Sequence, residues 1–115
     1  MIKFLNKLEK KINFKFKNVK LLERSLTHKS FDSENNYEKL EFLGDRILGL
    51  TLSNKLLEMY PNDKVGFLDK KLASLVNRDK CFDIAKSLDL DQFILVGTSK
   101  NKNIKIENKI ISDCC

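Results

Sequence analysis

One proline, Pro61, and four glycines are the only strong chain-breakers among these 115 residues. A chain so poor in breakers does not build the many tight turns of an all-β protein, and it is expected to run in helices. The apolar spacing agrees. Phe4, Leu5, Leu8 and Ile12 fall at helical intervals and predict an amphipathic helix over 3–12. Val19, Leu22 and Leu26 predict a second over about 18–28, and residues 30–36 form a polar loop with good N-cap candidates. A long helix is expected from about 36 to 60, stopped by Pro61-Asn62-Asp63. Another is expected over about 66–87, carrying Leu68, Leu72, Leu75, Val76, Ile84, Ala85 and Leu88. The apolar piece Phe93–Val96 ends at Gly97, residues 98–105 read as a basic polar loop, and a last helix starts near 106. The expected fold class is all-α, as one domain over 1–115.

Composition narrows the class. A hydrophobic fraction of 42% is globular rather than disordered. At this length a chain buries roughly 65% of its unfolded surface, enough for one core. No apolar run approaches the ~18–20 residues of a membrane span, so no membrane partner is expected. The N-terminus has no signal-peptide core, and three cysteines form no disulfide framework; a cytoplasmic location is expected. Charge is uneven. Residues 1–29 carry nine basic and two acidic side chains, residues 30–63 three and seven, and residues 64–115 ten and seven. Basic flanks attract a polyanion, whereas the acidic centre repels one unless a cation sits within it.

That centre has a defined geometry. On a helix Glu38, Glu41 and Asp45 fall within an arc of about 60°, and Leu40, Leu43, Ile47 and Leu50 lie on the opposite side. Like charges at these spacings repel, so a hard divalent cation such as Mg²⁺, which takes carboxylate oxygens and bridges them to phosphate, is the natural compensation. Leu48 and Leu52 continue the acidic face as apolar. A helix apolar on nearly all sides is expected to be buried, with its acids looking into a cleft. Gly44 costs about 1 kcal/mol mid-helix relative to Ala, which predicts another backbone packed close against it.

The segment from Glu38 to Arg46 resembles the nine-residue signature of the ribonuclease III family, every position holding a permitted residue type. Its flanks are similar too: Leu21-Leu22, then Ser25-Leu26-Thr27-His28-Lys29-Ser30; Tyr60-Pro61, Gly66, Leu68 and Ala73–Val76; and Ile110–Asp113. The resemblance implies an all-helical endonuclease domain that works as a homodimer on double-stranded RNA. It implies Mg²⁺ as cofactor, with Mn²⁺ able to substitute, products with 5′-phosphate and 3′-hydroxyl ends, and a role in RNA processing. By motif position it makes Glu41, Asp45 and Asp113 the metal-site acids, Glu38 a further catalytic acid, and Phe42 a dimer contact. Such chemistry is metal-ion catalysis: the cation lowers the pKa of a water and neutralises charge building on phosphate.

The sequence departs from the family pattern in places. The family's catalytic Glu, three residues after the position of Asp113, would fall at 116, and the chain ends at Cys115. The expectation is therefore a C-terminally incomplete domain with little activity. Val65, Asp69 and Leu72 stand where the family usually has an acid, Ser or Thr, and Arg. The alternative reading is a non-catalytic RNA-binding and dimerisation module of the same fold. Among the remaining candidates, His28 reads as structural and Cys114-Cys115 as buried small apolar residues. Lys100, Lys102, Lys105 and Lys109 could line a phosphate backbone. Phe14 and Phe16, set between lysines, read as core anchors of the first helix rather than as platforms for bases.

Overall fold

The computed structural model describes residues 2–97 and 106–115. Among the described residues six α-helices and one short 3₁₀ turn (Leu90–Gln92) follow in order: α1 (Ile2–Ile12), α2 (Val19–Ser25), α3 (Glu38–Met59), α4 (Val65–Leu75), α5 (Arg78–Ser87) and α6 (Asn108–Asp113). The all-α expectation holds. Among the described residues the one β feature is an isolated parallel bridge between Thr27 and Leu95.

Local chemistry sets the boundaries. The extended Asn18 accepts a hydrogen bond from the Leu21 N–H at 3.3 Å and so starts α2. That helix ends earlier than its apolar spacing suggests, because Leu26–His28 peels away to pair with Leu95. The Leu95 N–H donates to the Leu26 carbonyl at 2.8 Å, and the His28 N–H donates to the Leu95 carbonyl at 2.9 Å. The single helix expected over 66–87 is two helices. Val76 and Asn77 leave the helical region, and the Asn77 side chain accepts from the Lys80 N–H at 2.8 Å as the cap of α5. The break frees α5 to turn into the core, where Ala85 is fully buried.

That core gathers Leu5 and Leu8 of α1, Leu22 and Leu26, Ala85, Leu90, Phe93, Ile94 and Ile111. The apolar stripe of α1 is thereby used as its spacing predicts. Phe16 packs against the same cluster, whereas Phe14 meets the Phe16 ring edge-on at 5.0 Å and stays 59% exposed; only one of the two expected anchors serves. Gly97 is obligatory for a different reason. A Cβ there would run into the Ser30 carbonyl, and the Gly97 N–H donates to Ser30 Oγ at 2.9 Å.

α3 and α4 pack on each other and contribute nothing to that cluster. Leu56 is the one buried residue of α3, so the expectation of a buried helix is corrected: Phe42, Leu43, Ile47, Leu50, Leu57 and Met59 all stand more than half exposed. Too little chain lies on that side to cover them. The expectation at Gly44 is corrected as well, since a methyl group there would meet nothing within 4 Å.

Candidate active site

The entry to α3 is fixed before its acids are placed. Asn36 is buried, and its side-chain oxygen accepts from the Glu38 N–H at 3.1 Å. Its amide donates to the carbonyls of Asp32 and Ser33, each at 3.1 Å, while its own carbonyl accepts from Arg24 Nε at 2.9 Å. Tyr37 is buried next to it, with its N–H on the Thr27 carbonyl at 2.9 Å. The Tyr37 hydroxyl donates to Asp113 Oδ2 at 3.0 Å and ties the start of α3 to the end of α6.

Between those helices and the start of α5 opens a cleft of about 710 Å³. Glu41 and Asp45 line it from α3, Asp113 from α6 and Arg78 from α5. Partial burial and then the charges of Asp113 and Asp45 hold the Glu41 carboxyl above its ordinary value, against the smaller pull of Lys109 and Arg46. Burial and the adjacent Asp113 push the Tyr37 phenol far up, so it is a fixed donor. Lys109 Nζ bonds Asp113 Oδ2 at 2.7 Å, and that bond holds the ammonium above its usual range. Cys81 and Cys114 also line the cleft, but burial pushes both thiols up, Cys114 to about 12. They stay protonated, and the anionic donors here are carboxylate oxygens.

The three acids that the resemblance marks for metal, Glu41, Asp45 and Asp113, thus share one cleft. Glu38 does not line it; it is the exposed first residue of α3, where a carboxylate suits the positive helix end. Phe42 lies 60% exposed outside the cleft, under the Arg46 guanidinium at 3.9 Å. His28, read from the sequence as structural, makes local contacts: its Nδ1 accepts from the Ser30 N–H at 3.2 Å and pairs with Ser30 Oγ at 2.8 Å, and its ring lies 5.9 Å from that of Tyr37. Cys114 packs on the core, but Cys115 is exposed, which corrects half of the buried-pair expectation. Lys100, Lys102 and Lys105 lie outside the described residues. The sequence gives no warning of Tyr37, although it directly precedes the signature, nor of Arg78.

Hard oxygen donors facing one cleft suit a divalent cation such as Mg²⁺. They are not yet gathered: among the described residues no three acidic, Cys or His side chains converge as a ligand set. Asp113 Oδ2 is instead taken by Tyr37 and Lys109.

Residues 18–115 match the family model described as Ribonuclease-III-like. The chain is 61% identical over 108 residues to Ribonuclease 3 of Pelagibacter ubique, covering 94% of this chain and 49% of that protein. It is 41% identical over 113 residues to Ribonuclease 3 of Campylobacter jejuni, covering 97% and 50%. It thus spans about half the length of these curated relatives. A solved nuclease domain of the Campylobacter jejuni ribonuclease III superposes with a TM-score of 0.86 at 41% identity, covering 94% of this chain and 76% of that one. That structure was described for flexibility in a region involved in dimer formation.

Proposed function

Because the chain belongs to the ribonuclease-III-like family, we propose that it is the nuclease domain of a metal-dependent endoribonuclease, acting as a homodimer on double-stranded RNA in cytoplasmic RNA processing. The observation that carries this reading is that Glu41, Asp45 and Asp113 line one cleft, with Glu41 held above its ordinary pKa by partial burial and then by the charges of Asp113 and Asp45. Those three side chains would hold Mg²⁺ or Mn²⁺. A cation so held lowers the pKa of a water and offsets the charge that builds on the scissile phosphate.

The chain's own residues supply the rest. Tyr37 steadies Asp113 through its hydroxyl, and the cap at Asn36 fixes where Glu41 and Asp45 begin their helix. Arg78, at the start of α5, brings a cation to the cleft wall, where a phosphate oxygen of RNA would meet it. The exposed apolar face of α3 offers a self-complementary contact around Phe42. Pairing through it would set two acid clusters in one assembly, one for each strand. Glu38 is proposed as an accessory acid at the helix start, outside the metal set.

The test is cleavage of an end-labelled RNA duplex with Mg²⁺. The expected result is endonucleolytic cutting to 5′-phosphate and 3′-hydroxyl ends, reduced at least about a hundredfold by Asp45→Asn, since each 1.36 kcal/mol of lost transition-state stabilisation is about tenfold in rate. Undiminished cutting by Asp45→Asn would sink the assignment. A second reading, an RNA-binding and dimerisation module without catalysis, draws on Asp113 being committed to Lys109. Under it, the wild-type chain binds the duplex and leaves it intact.

A further inference from the structure

Lys109 occupies an unexpected place. Its ammonium donates to Asp113 Oδ2 at 2.7 Å, on the oxygen that also accepts the Tyr37 hydroxyl at 3.0 Å. The two side chains differ sharply in exposure, 59% for Lys109 against 12% for Asp113. An inward carboxylate is therefore reached by a lysine that arrives from solvent.

Its orientation makes the pair a weak device for stabilising α6. Lys109 stands in the first turn of α6 and Asp113 at its last residue. Acid before base is the favourable order along a helix, and this pair runs base before acid. The helix dipole likewise disfavours a cation at the N-terminus and an anion at the C-terminus. What the pair does accomplish is local to the cleft. Glu41, Asp45 and Asp113 bring three carboxylates to one concavity, and the Lys109 ammonium is the cation bonded to one of them. The bond also occupies one oxygen of Asp113, the acid that α6 brings to the cleft.

We propose that Lys109 is a resident counter-ion of the acid cluster, seated on Asp113 until a divalent cation displaces it, so that this one side chain sets the metal affinity of the site. The ammonium and the cation compete for Asp113 Oδ2, and their like charges repel across the one carboxylate. The exchange breaks no covalent bond: a charge-assisted hydrogen bond is given up for ligation, and the lysine swings to solvent on its flexible stem. This inference rests on the metal-site reading above, and the experiment separates the two.

Isothermal titration of the whole chain with Mn²⁺ alone, without RNA, compares the wild type with Lys109→Met, Lys109→Arg and Asp45→Asn. Lys109→Met keeps the aliphatic stem and removes the charge, and circular dichroism verifies its fold. The expected result is Mn²⁺ binding about tenfold tighter in Lys109→Met, with Lys109→Arg close to the wild type. Melting in chelator gives an independent readout: Lys109→Met melts below the wild type without metal and gains more than the wild type on adding Mn²⁺. Equal or weaker Mn²⁺ binding by Lys109→Met, in a chain where Asp45→Asn abolishes binding, overturns the counter-ion role and leaves the metal site standing. Binding that is absent from both wild type and Lys109→Met, or indifferent to Asp45→Asn, overturns the metal-site reading and the counter-ion with it.

Discussion

The two halves of this molecule solve the same problem in opposite ways. α1, α2, α5, the 3₁₀ turn and α6 close around one apolar cluster, and their large side chains are mostly covered. α3 and α4 form an arm that buries Leu56 and leaves most of its other large apolar residues half or more exposed. With 22 residues α3 is about 33 Å long, and the molecule extends 55 Å along one axis against 29 and 26 Å along the others. Its radius of gyration, 16.1 Å, exceeds the about 13 Å of a compact chain of this size. The difference lies in the pattern. α1 is apolar on one face and finds a partner for it within the chain. α3 is apolar most of the way round and needs more partners than the chain provides.

The largest effect should come from taking the arm's partner away. Burying the exposed Phe42 is worth about 2 kcal/mol per copy, and a two-fold interface counts it twice, about 4 kcal/mol. Phe42→Asp is expected to weaken self-association roughly a thousandfold and leave the circular dichroism spectrum unchanged. Sedimentation equilibrium measures it. An unaltered dimer affinity would place the interface elsewhere and leave the α3 face unexplained.

The core half should answer to truncation instead. Leu8→Ala opens a cavity in a closed cluster and is expected to cost about 2–5 kcal/mol. Leu50→Ala, at a position 74% exposed, should change the stability of the dilute monomer by no more than about 0.5 kcal/mol. Urea melts at low concentration measure both. Comparable losses from the two would mean that the arm is packed within the monomer, and the contrast would collapse.

What the sequence revealed follows the range of the forces involved. The stripe of α1, the stop at Pro61 and the shared face of Glu41 and Asp45 are local, and local spacing reports them. Asn77 was legible in principle, being an N-cap residue followed by Asp79, but it sits within an apolar periodicity that runs across the break. The Tyr37–Asp113 hydrogen bond joins residues at opposite ends of the chain, and no periodicity encodes it. Asp113 itself came from family resemblance, since a solitary Asp after two isoleucines and a serine has no pattern of its own. Glu38 shares a helical face with Glu41 but does not line the cleft, although its neighbour Tyr37 does, and helical spacing alone does not report that difference.

The seam between the two halves is where metal should act, because α3 supplies two acids and α6 the third. Saturating Mn²⁺ at a hundred times Kd should stabilise the fold by about 2.7 kcal/mol. Asp45→Ala should lose most of that gain, as read by thermal melting with and without chelator. An Asp45→Ala variant that responds to Mn²⁺ like the wild type would remove the metal from this seam.

The smallest effect tests the electrostatics of the same seam without metal. Glu41 has a folded pKa raised above the ordinary 4.5 by burial, Asp113 and Asp45. A carboxyl of this kind binds its proton more readily in the folded state, so its ionisation costs stability as pH rises through the raised value. The penalty is absent below 4.5, where folded and unfolded chains are both protonated, and complete above the folded pKa. Glu41→Gln removes it. In chelator at neutral pH that variant should be more stable than the wild type, by less than about 1 kcal/mol because Glu41 is partly solvated and water screens its neighbours. The gap should close as pH falls below the ordinary carboxyl value. Saturating Mn²⁺ should reverse it, since the wild type then gains a ligand that the amide replaces poorly. Urea melts across the acid range, with and without Mn²⁺, measure all three changes. A gap that persists at acid pH would show that Glu41→Gln acts through packing, and that α3 and α6 meet without the repulsion that a cation is needed to relieve.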